Sequence, residues 1–345
     1  MIYNIDEYNL CIEKTLKNGK YDFLKNKSIL ITGANGLIAS CLVDILNYFN
    51  EKMNYNIQIY IMIRNQNRIL SRFLNYKKLT VVEQDVINKI RLEKDIDYII
   101  HAASNAHPKV FSEDPVGTML GNFIGMYNIL EFARKNDIEK VVYVSSGEIY
   151  GQGEENIESF TEVYNGKINI NNPRSCYPIG KISAETLCAS YTAQYKVKSS
   201  IVRPCHIYGP TQTESDTRAA SQFIRDVLEN KDIIMKSEGK QIRSYCFVLD
   251  CATAILTVLK NGENYNAYNI ANKNSIISIR DLAETIAKYS GRKILFEIPT
   301  ETEKASYNPV TKSVLSEEKL LNLGWKPIWN IEDGINETLK IMGHD

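Results

Sequence analysis

From Ser28 onward the chain alternates short, wholly apolar runs with amphipathic stretches, and this alternation constrains the fold more than any other feature. SILITG leads into LIASCLVDILNYF; IQIYIMI, LTVVEQD and DYIIHAA follow, then GMYNILEFARK and KVVYVSS. Strands interleaved with helices demand a parallel sheet, because a parallel pair needs a long crossover and a helix supplies it. Strands apolar at every residue say that both faces of the sheet are covered. The class is α/β: a Rossmann-type, doubly wound parallel sheet. After Cys205 the alternation turns irregular, which predicts a smaller C-terminal substrate-binding lobe. The expected division is a helical extension over 1–27 and a sheet domain over 28–204, to which a segment near 245–260 returns. The lobe takes 205–244 and 261–345.

The 345 residues can bury a sizeable core. Lys+Arg and Asp+Glu both number 41, so the chain has no global field to draw it to nucleic acid or an anionic membrane. No run of about 18 apolar residues occurs, and MIYNIDEYNL lacks the apolar core of a secretory leader. The seven cysteines are an odd number without a CxxC pair, the pattern of reduced thiols in a cytoplasmic protein. His107 and His344 have no partners at metal-ligand spacing, and no metal is expected.

Strand SILIT runs into Gly33, Ala34, Asn35, Gly36, Leu37, Ile38 and Ala39, and then a helix. A glycine-rich strand-to-helix turn aims backbone N–H groups and a helix N-terminus at a pyrophosphate. Its place on the first strand of a long series favours a dinucleotide site over a plain tight turn. Ala102 and Ala103, after His101, are small enough to let a cofactor approach, with Ser104 beside them. Asp85 and Val86 follow LTVVEQ, where a carboxylate could meet an adenine edge. NAD binding calls for an acid after IQIYIMI to grip the ribose 2′-OH. Arg64 stands there instead, so NAD is the first expectation and NADP stays open.

Tyr177 and Lys181 stand at i and i+4, on one face of a helix whose first turn tolerates Pro178. An ammonium beside a phenol favours phenolate, so Tyr177 could act as a base near neutral pH. Tyr21 and Lys25 repeat the spacing but precede the first strand.

Taken together, GxxGxxA, HAAS at 101–104, SSGEIYG at 145–151, Tyr177-xxx-Lys181, RPCHIYGP, GKQIRSYCFV and LGWKP resemble the extended short-chain dehydrogenase/reductases of the NAD-dependent epimerase/dehydratase family. PRSCYPIGKISAETLC is most similar to their UDP-glucuronate decarboxylases. The resemblance implies NAD in the Rossmann half, a UDP-linked nucleotide sugar in the lobe, and a homodimer packed through two long helices. It makes Ser146 the partner of the sugar 4-OH and Tyr177 the base, with Lys181 supporting it. In 4,6-dehydratases of the family, an acid precedes the position of Glu148 and protonates the leaving 6-OH; here Gly147 stands in its place. Decarboxylation needs no such acid, because a 4-ketone makes the C6 carboxylate a β-keto acid. Arg243 matches an arginine near the sugar carboxylate, and Arg218 lies where a diphosphate could be reached. His206 replaces the usual asparagine of the diphosphate contact.

The expected activity is decarboxylation of UDP-glucuronate to a UDP-pentose or its 4-keto form. Alternatives within the family are a nucleotide-hexose 4,6-dehydratase and a 4-epimerase. A non-catalytic dinucleotide-binding protein is the alternative of another class, and the presence of both Tyr177 and Lys181 argues against it.

Overall fold

The computed structural model describes residues 2–106, 108–300 and 310–343; His107 and His344 lie outside the described residues. Seven strands form the main sheet: β1 (Ser28–Thr32), β2 (Gln58–Ile63), β3 (Leu79–Glu83), β4 (Tyr98–His101), β5 (Lys140–Val144), β6 (Ser199–Pro204) and β10 (Ala267–Ile270). Their order is β10-β6-β5-β4-β1-β2-β3, and every neighbouring pair is parallel. The order reverses between β1 and β4, so the crevice at their carboxyl ends is the switch point at which such sheets bind ligands.

Side-chain alternation along β1 supplies both covering layers. Ile29 and Ile31 join one core with α2 (Leu37–Met53) and α7 (Val248–Asn261). Leu30 joins the other with α4 (Pro115–Lys135) and α5 (Cys176–Tyr195). A strand flanked by helices on both faces is mostly apolar, and β1 is fully buried from Ile29 to Thr32.

The lobe is built on β9 (Ile242–Phe247), which pairs with β7 (His206–Tyr208), β11 (Ile276–Ser278) and β13 (Lys312–Ser313). A two-stranded sheet of β8 (Ile233–Met235) and β12 (Ile294–Phe296) lies beside α6 (Ala219–Leu228) and α8 (Ile279–Ser290). One expected boundary fails. Residues 267–270, assigned by sequence to the lobe, form the sheet's edge strand β10 beside β6. The chain returns through α7, which packs on β5 and β6 and acts as the crossover, so the returning segment extends past 260.

The N-terminal extension is docked onto the sheet domain. Helix α1 (Ile5–Leu16) is capped by Asn4 and packs on α2, α7 and α9 (Ile331–Ile341). The buried carboxylate of Asp44 on α2 accepts from Tyr8 Oη at 2.9 Å, from Tyr76 Oη at 2.9 Å, and from Arg72 through Nε at 2.9 Å and Nη2 at 3.0 Å. A buried carboxylate with several donors is held firmly, and removing it strands a guanidinium. Replacing Asp44 with Ala should therefore cost about 3 kcal/mol, read as a lower urea midpoint with unchanged slope.

Candidate functional site

At the end of β1 the backbone turns through Gly33, whose φ of +70° a side chain rarely adopts. A Cβ there would lie 2.7 Å from Ala103 Cα, so glycine lets the turn close on the β4 end. Thr32 Oγ1 accepts from the N–H groups of Ala102 at 3.2 Å and Ala103 at 3.1 Å. Its own proton is thereby directed to His101 Nδ1 at 2.8 Å, which makes the neutral imidazole an Nε2–H tautomer. Burial, then Lys181, lowers the His101 pKa to about 3, so His101 is a neutral post of the strand end.

Helix α2 begins at Gly36, where no side chain caps the first N–H groups. Asn35 donates to the Arg68 carbonyl at 2.8 Å, and its buried Oδ1 has no partner among the described residues. The Leu37 carbonyl accepts from Thr211 at 2.8 Å, and Ile38 packs on the core. Ser104 donates to Asn122 at 3.0 Å. An uncapped helix start beside a glycine turn at the switch point suits a dinucleotide pyrophosphate. Further along the edge, Arg64 is exposed, Asp85 is half-buried and accepts from the Ile87 N–H, and Val86 is buried against Gly125.

The catalytic candidates converge at the end of β5. Ser146 caps the short turn Gly147–Tyr150 by accepting from the Glu148 N–H at 3.1 Å, and Tyr177, in the first turn of α5, stands near enough for that hydroxyl to pull its pKa down. Lys181 is buried one turn on and donates to the Val144 carbonyl at 2.8 Å, with Nζ 5.7 Å from the centre of the Tyr177 ring. Arg218, at the start of α6, is gripped by Asp216 through Nε at 2.9 Å. His206 on β7 is half-buried beside Tyr245, with a buried Nδ1 unpartnered among the described residues. Arg243 on β9 donates to the carbonyls of Ile242, Thr311 and Val310.

Charges link these groups. Burial and then Glu148 push the Tyr177 phenol up to about 12, while Ser146 and Arg218 pull it down. Burial lowers the Lys181 ammonium to about 7, against the opposing pull of Glu185. Lys181 donates to the Val144 carbonyl from beside the Tyr177 ring, and Ser146 and Arg218 pull the phenol's pKa down. Burial, then Arg243 and Arg218, take the His206 pKa down to about 3, so it is a neutral hydrogen-bonding group. Arg218 is half-buried; loss of water works against its charge, but Asp216 outweighs this and its pKa is raised. Burial lowers the pKa of Arg243, against Tyr245 and Glu148.

Two participants escape a reading by motif. Phe111, in the short helix α3 (Pro108–Glu113), stacks on Tyr177 with ring centroids 4.4 Å apart and planes at 16°. Arg174 reaches Glu148 Oε2 through Nη1 at 3.3 Å. Phe111 has no sequence signal, whereas Arg174 lies inside the PRSCYPIGK stretch that carries the family resemblance. Thr118 and Asn122 are buried, with Asn122 facing Gly180 of α5.

The model of the NAD dependent epimerase/dehydratase family matches residues 29–271. The chain belongs to that family. Among curated relatives, UDP-glucuronic acid decarboxylase 6 of Arabidopsis thaliana is 30% identical over 93% of this chain and 90% of its own length. UDP-glucuronic acid decarboxylase 1 of Xenopus tropicalis is 29% identical over 91% of this chain and 71% of its own length. Among solved structures, a UDP-glucose 4-epimerase from Thermotoga maritima superposes with a TM-score of 0.78 at 22% identity, covering 91% of this chain and 98% of that one. A dTDP-glucose 4,6-dehydratase from Bacillus anthracis does so at 0.75 and 22%, over 91% and 96%. These likenesses are of fold. The family makes the chain an enzyme of the extended short-chain dehydrogenase/reductases with NAD as cofactor.

The buried Lys181 gives a measurable signature. An unfolded lysine keeps its proton to about pH 10.5, the folded one only to about 7. Between these values the unfolded chain binds the extra proton, so the cost of burying Lys181 is complete below about pH 7 and shrinks as pH rises towards 10.5. Relative to Lys181→Met, which has nothing to titrate there, the native chain should gain stability steadily across that window in thermal melts. A difference independent of pH would contradict the buried cation.

Proposed function

We propose that the protein decarboxylates a UDP-linked glucuronate to a UDP-pentose or its 4-keto form. The observation that carries this reading is the pairing of Glu148 with Gly147. A Cβ at Gly147 would lie 3.1 Å from Leu315 Cδ2 and 3.3 Å from the Pro204 carbonyl oxygen, so the position has neither an acid nor ready room for one. A 4,6-dehydratase of the kind that protonates its leaving 6-OH from this position is disfavoured, and a simple 4-epimerase has no use for Glu148. The curated decarboxylase relatives support the same choice.

NAD+ seated at the α2 terminus supplies the hydride acceptor and donor for C4. Tyr177 Oη, beside Ser146, takes the proton of the C4 hydroxyl. With C4 a ketone, the C5–C6 bond breaks, CO2 departs, and the bonding pair moves into the C4 oxygen as an enolate. Tyr177 and Ser146 hold that oxygen. Glu148 manages the proton delivered to C5. Arg174 and Arg243 are the guanidinium groups near Glu148, and Arg218 and His206 line the approach for the diphosphate.

The assembly we propose is a homodimer through α4. Val116, Met119, Leu120, Phe123 and Tyr127 are exposed at helical spacing along one face, an apolar stripe unusual for a surface left in water. A second copy presenting the same helix would cover it, forming an isologous interface. The domain division is a sheet unit that holds the dinucleotide and a lobe that holds the nucleotide sugar. A cytoplasmic location suits the seven free thiols.

Three outcomes are expected. Incubated with UDP-glucuronate, the purified protein releases CO2 and yields a UDP-pentose or 4-ketopentose by mass spectrometry, and C4 couplings in the NMR spectrum name the configuration. Loss of water from UDP-glucose, CDP-glucose or GDP-mannose instead would overturn the reading. Tyr177→Phe should lower kcat by roughly a hundred- to ten-thousand-fold while nucleotide-sugar binding persists. Phe123→Glu should convert the dimer to a monomer in light scattering; an unchanged mass would rule out the α4 face.

A further inference from the structure

We propose that Arg174 is the receptor for the C5 carboxylate of the sugar, and therefore the residue that selects a sugar acid over a neutral hexose. The inference rests on the decarboxylase reading and adds the group that recognises the charge being lost.

Three other arginines show how this protein uses a guanidinium. Arg72 grips Asp44 through Nε and Nη2, Arg203 grips Glu185 through Nε at 3.1 Å and Nη2 at 2.7 Å, and Arg218 grips Asp216 through Nε and Nη2. In each, the two nitrogens of one edge form a fork that matches a carboxylate. In Arg174 the same two nitrogens, Nε and Nη2, are buried and have no partner among the described residues. The remaining nitrogen, Nη1, makes only a 3.3 Å contact to Glu148, long for a charge-assisted bond. A buried fork of this kind is costly unless an anion completes it.

Its position is beside the chemistry. The guanidinium carbon lies 5.8 Å from the centre of the Phe111 ring, the opposite partner in the Phe111–Tyr177 stack. Glu148, which Arg174 touches, is close enough to Tyr177 to raise its pKa. A carboxylate in the fork would thus lie next to both the C5 proton handler and the phenol at C4. Arg174 would also offset the repulsion between that carboxylate and Glu148. Arg243, the arginine singled out by sequence, is less suited, because Nη1 donates to Ile242 and Thr311 at 2.9 and 3.2 Å and Nη2 to Val310 at 2.5 Å.

The test is calorimetric titration of the NAD-loaded protein with UDP-glucuronate, UDP-glucose and UDP, in a Tyr177→Phe background so that nothing is consumed. Arg174→Gln should weaken UDP-glucuronate by roughly ten- to a hundred-fold and leave UDP-glucose and UDP within about threefold. Arg174→Lys, which keeps the charge without the fork, should fall between. If Arg174→Gln keeps the preference for UDP-glucuronate while Arg243→Gln abolishes it, Arg243 is the receptor and the proposal is wrong. Loss of UDP and NAD binding together with UDP-glucuronate would mark Arg174 as structural and equally overturn it. If the protein with Tyr177 intact releases no CO2, and the Tyr177→Phe variant shows no preference for UDP-glucuronate, the decarboxylase reading itself fails and takes the proposal with it.

Discussion

The carboxyl end of β1 meets that of β4 at van der Waals contact, and the architecture of the site descends from that closeness. Gly33 can have no side chain because the backbone of Ala103 occupies its place. Thr32 uses its one hydroxyl three times, accepting from two N–H groups of the β4 end and donating to His101. These bonds fix where the two strand ends separate, and the separation is the crevice at the sheet's switch point. Because β5 lies next to β4, Ser146 and Glu148 are delivered to the same edge, and α5 then brings Tyr177 across to Ser146.

Within this crevice the charges are few and mutually dependent. A phenol pushed towards 12 and an ammonium pushed towards 7 are both driven towards their neutral forms by the same cause, loss of water. Glu148 opposes ionisation of the phenol, while Ser146 and Arg218 favour it. The resting site therefore keeps its base protonated. Added positive charge, or screening of Glu148, favours ionisation against the burial that opposes it.

Much of this was legible in the chain. The period of the apolar runs specified a parallel sheet, since strands covered on both faces are apolar along most of their length. The glycine turn could be located because its constraint is local. What the sequence could not show depends on distance through space. The Phe111 stack joins residues 66 positions apart and leaves no pattern in either segment. The open Nε–Nη2 edge of Arg174, unpartnered among the described residues, and the engagement of Arg243 depend on groups from other elements, and two arginines look alike in a string of letters. Lys181 stands at the right spacing from Tyr177, but a strand carbonyl competes for it. The edge strand β10 was assigned to the lobe because four residues after a helix carry no mark of the sheet they join.

The seven cysteines have a consequence of another kind. Six are buried, Cys205 is half-buried, and burial raises the pKa of every one. A thiol reacts with electrophiles as thiolate, so the folded molecule presents very little of the reactive species despite its sulfur content. Alkylation must then wait for the chain to open. The rate at which each cysteine is labelled becomes a clock for the opening of its own neighbourhood, with Cys41 and Cys251 reporting on the α2–α7 layer, Cys188 on the opposite layer, and Cys176 on the stretch that supports Tyr177.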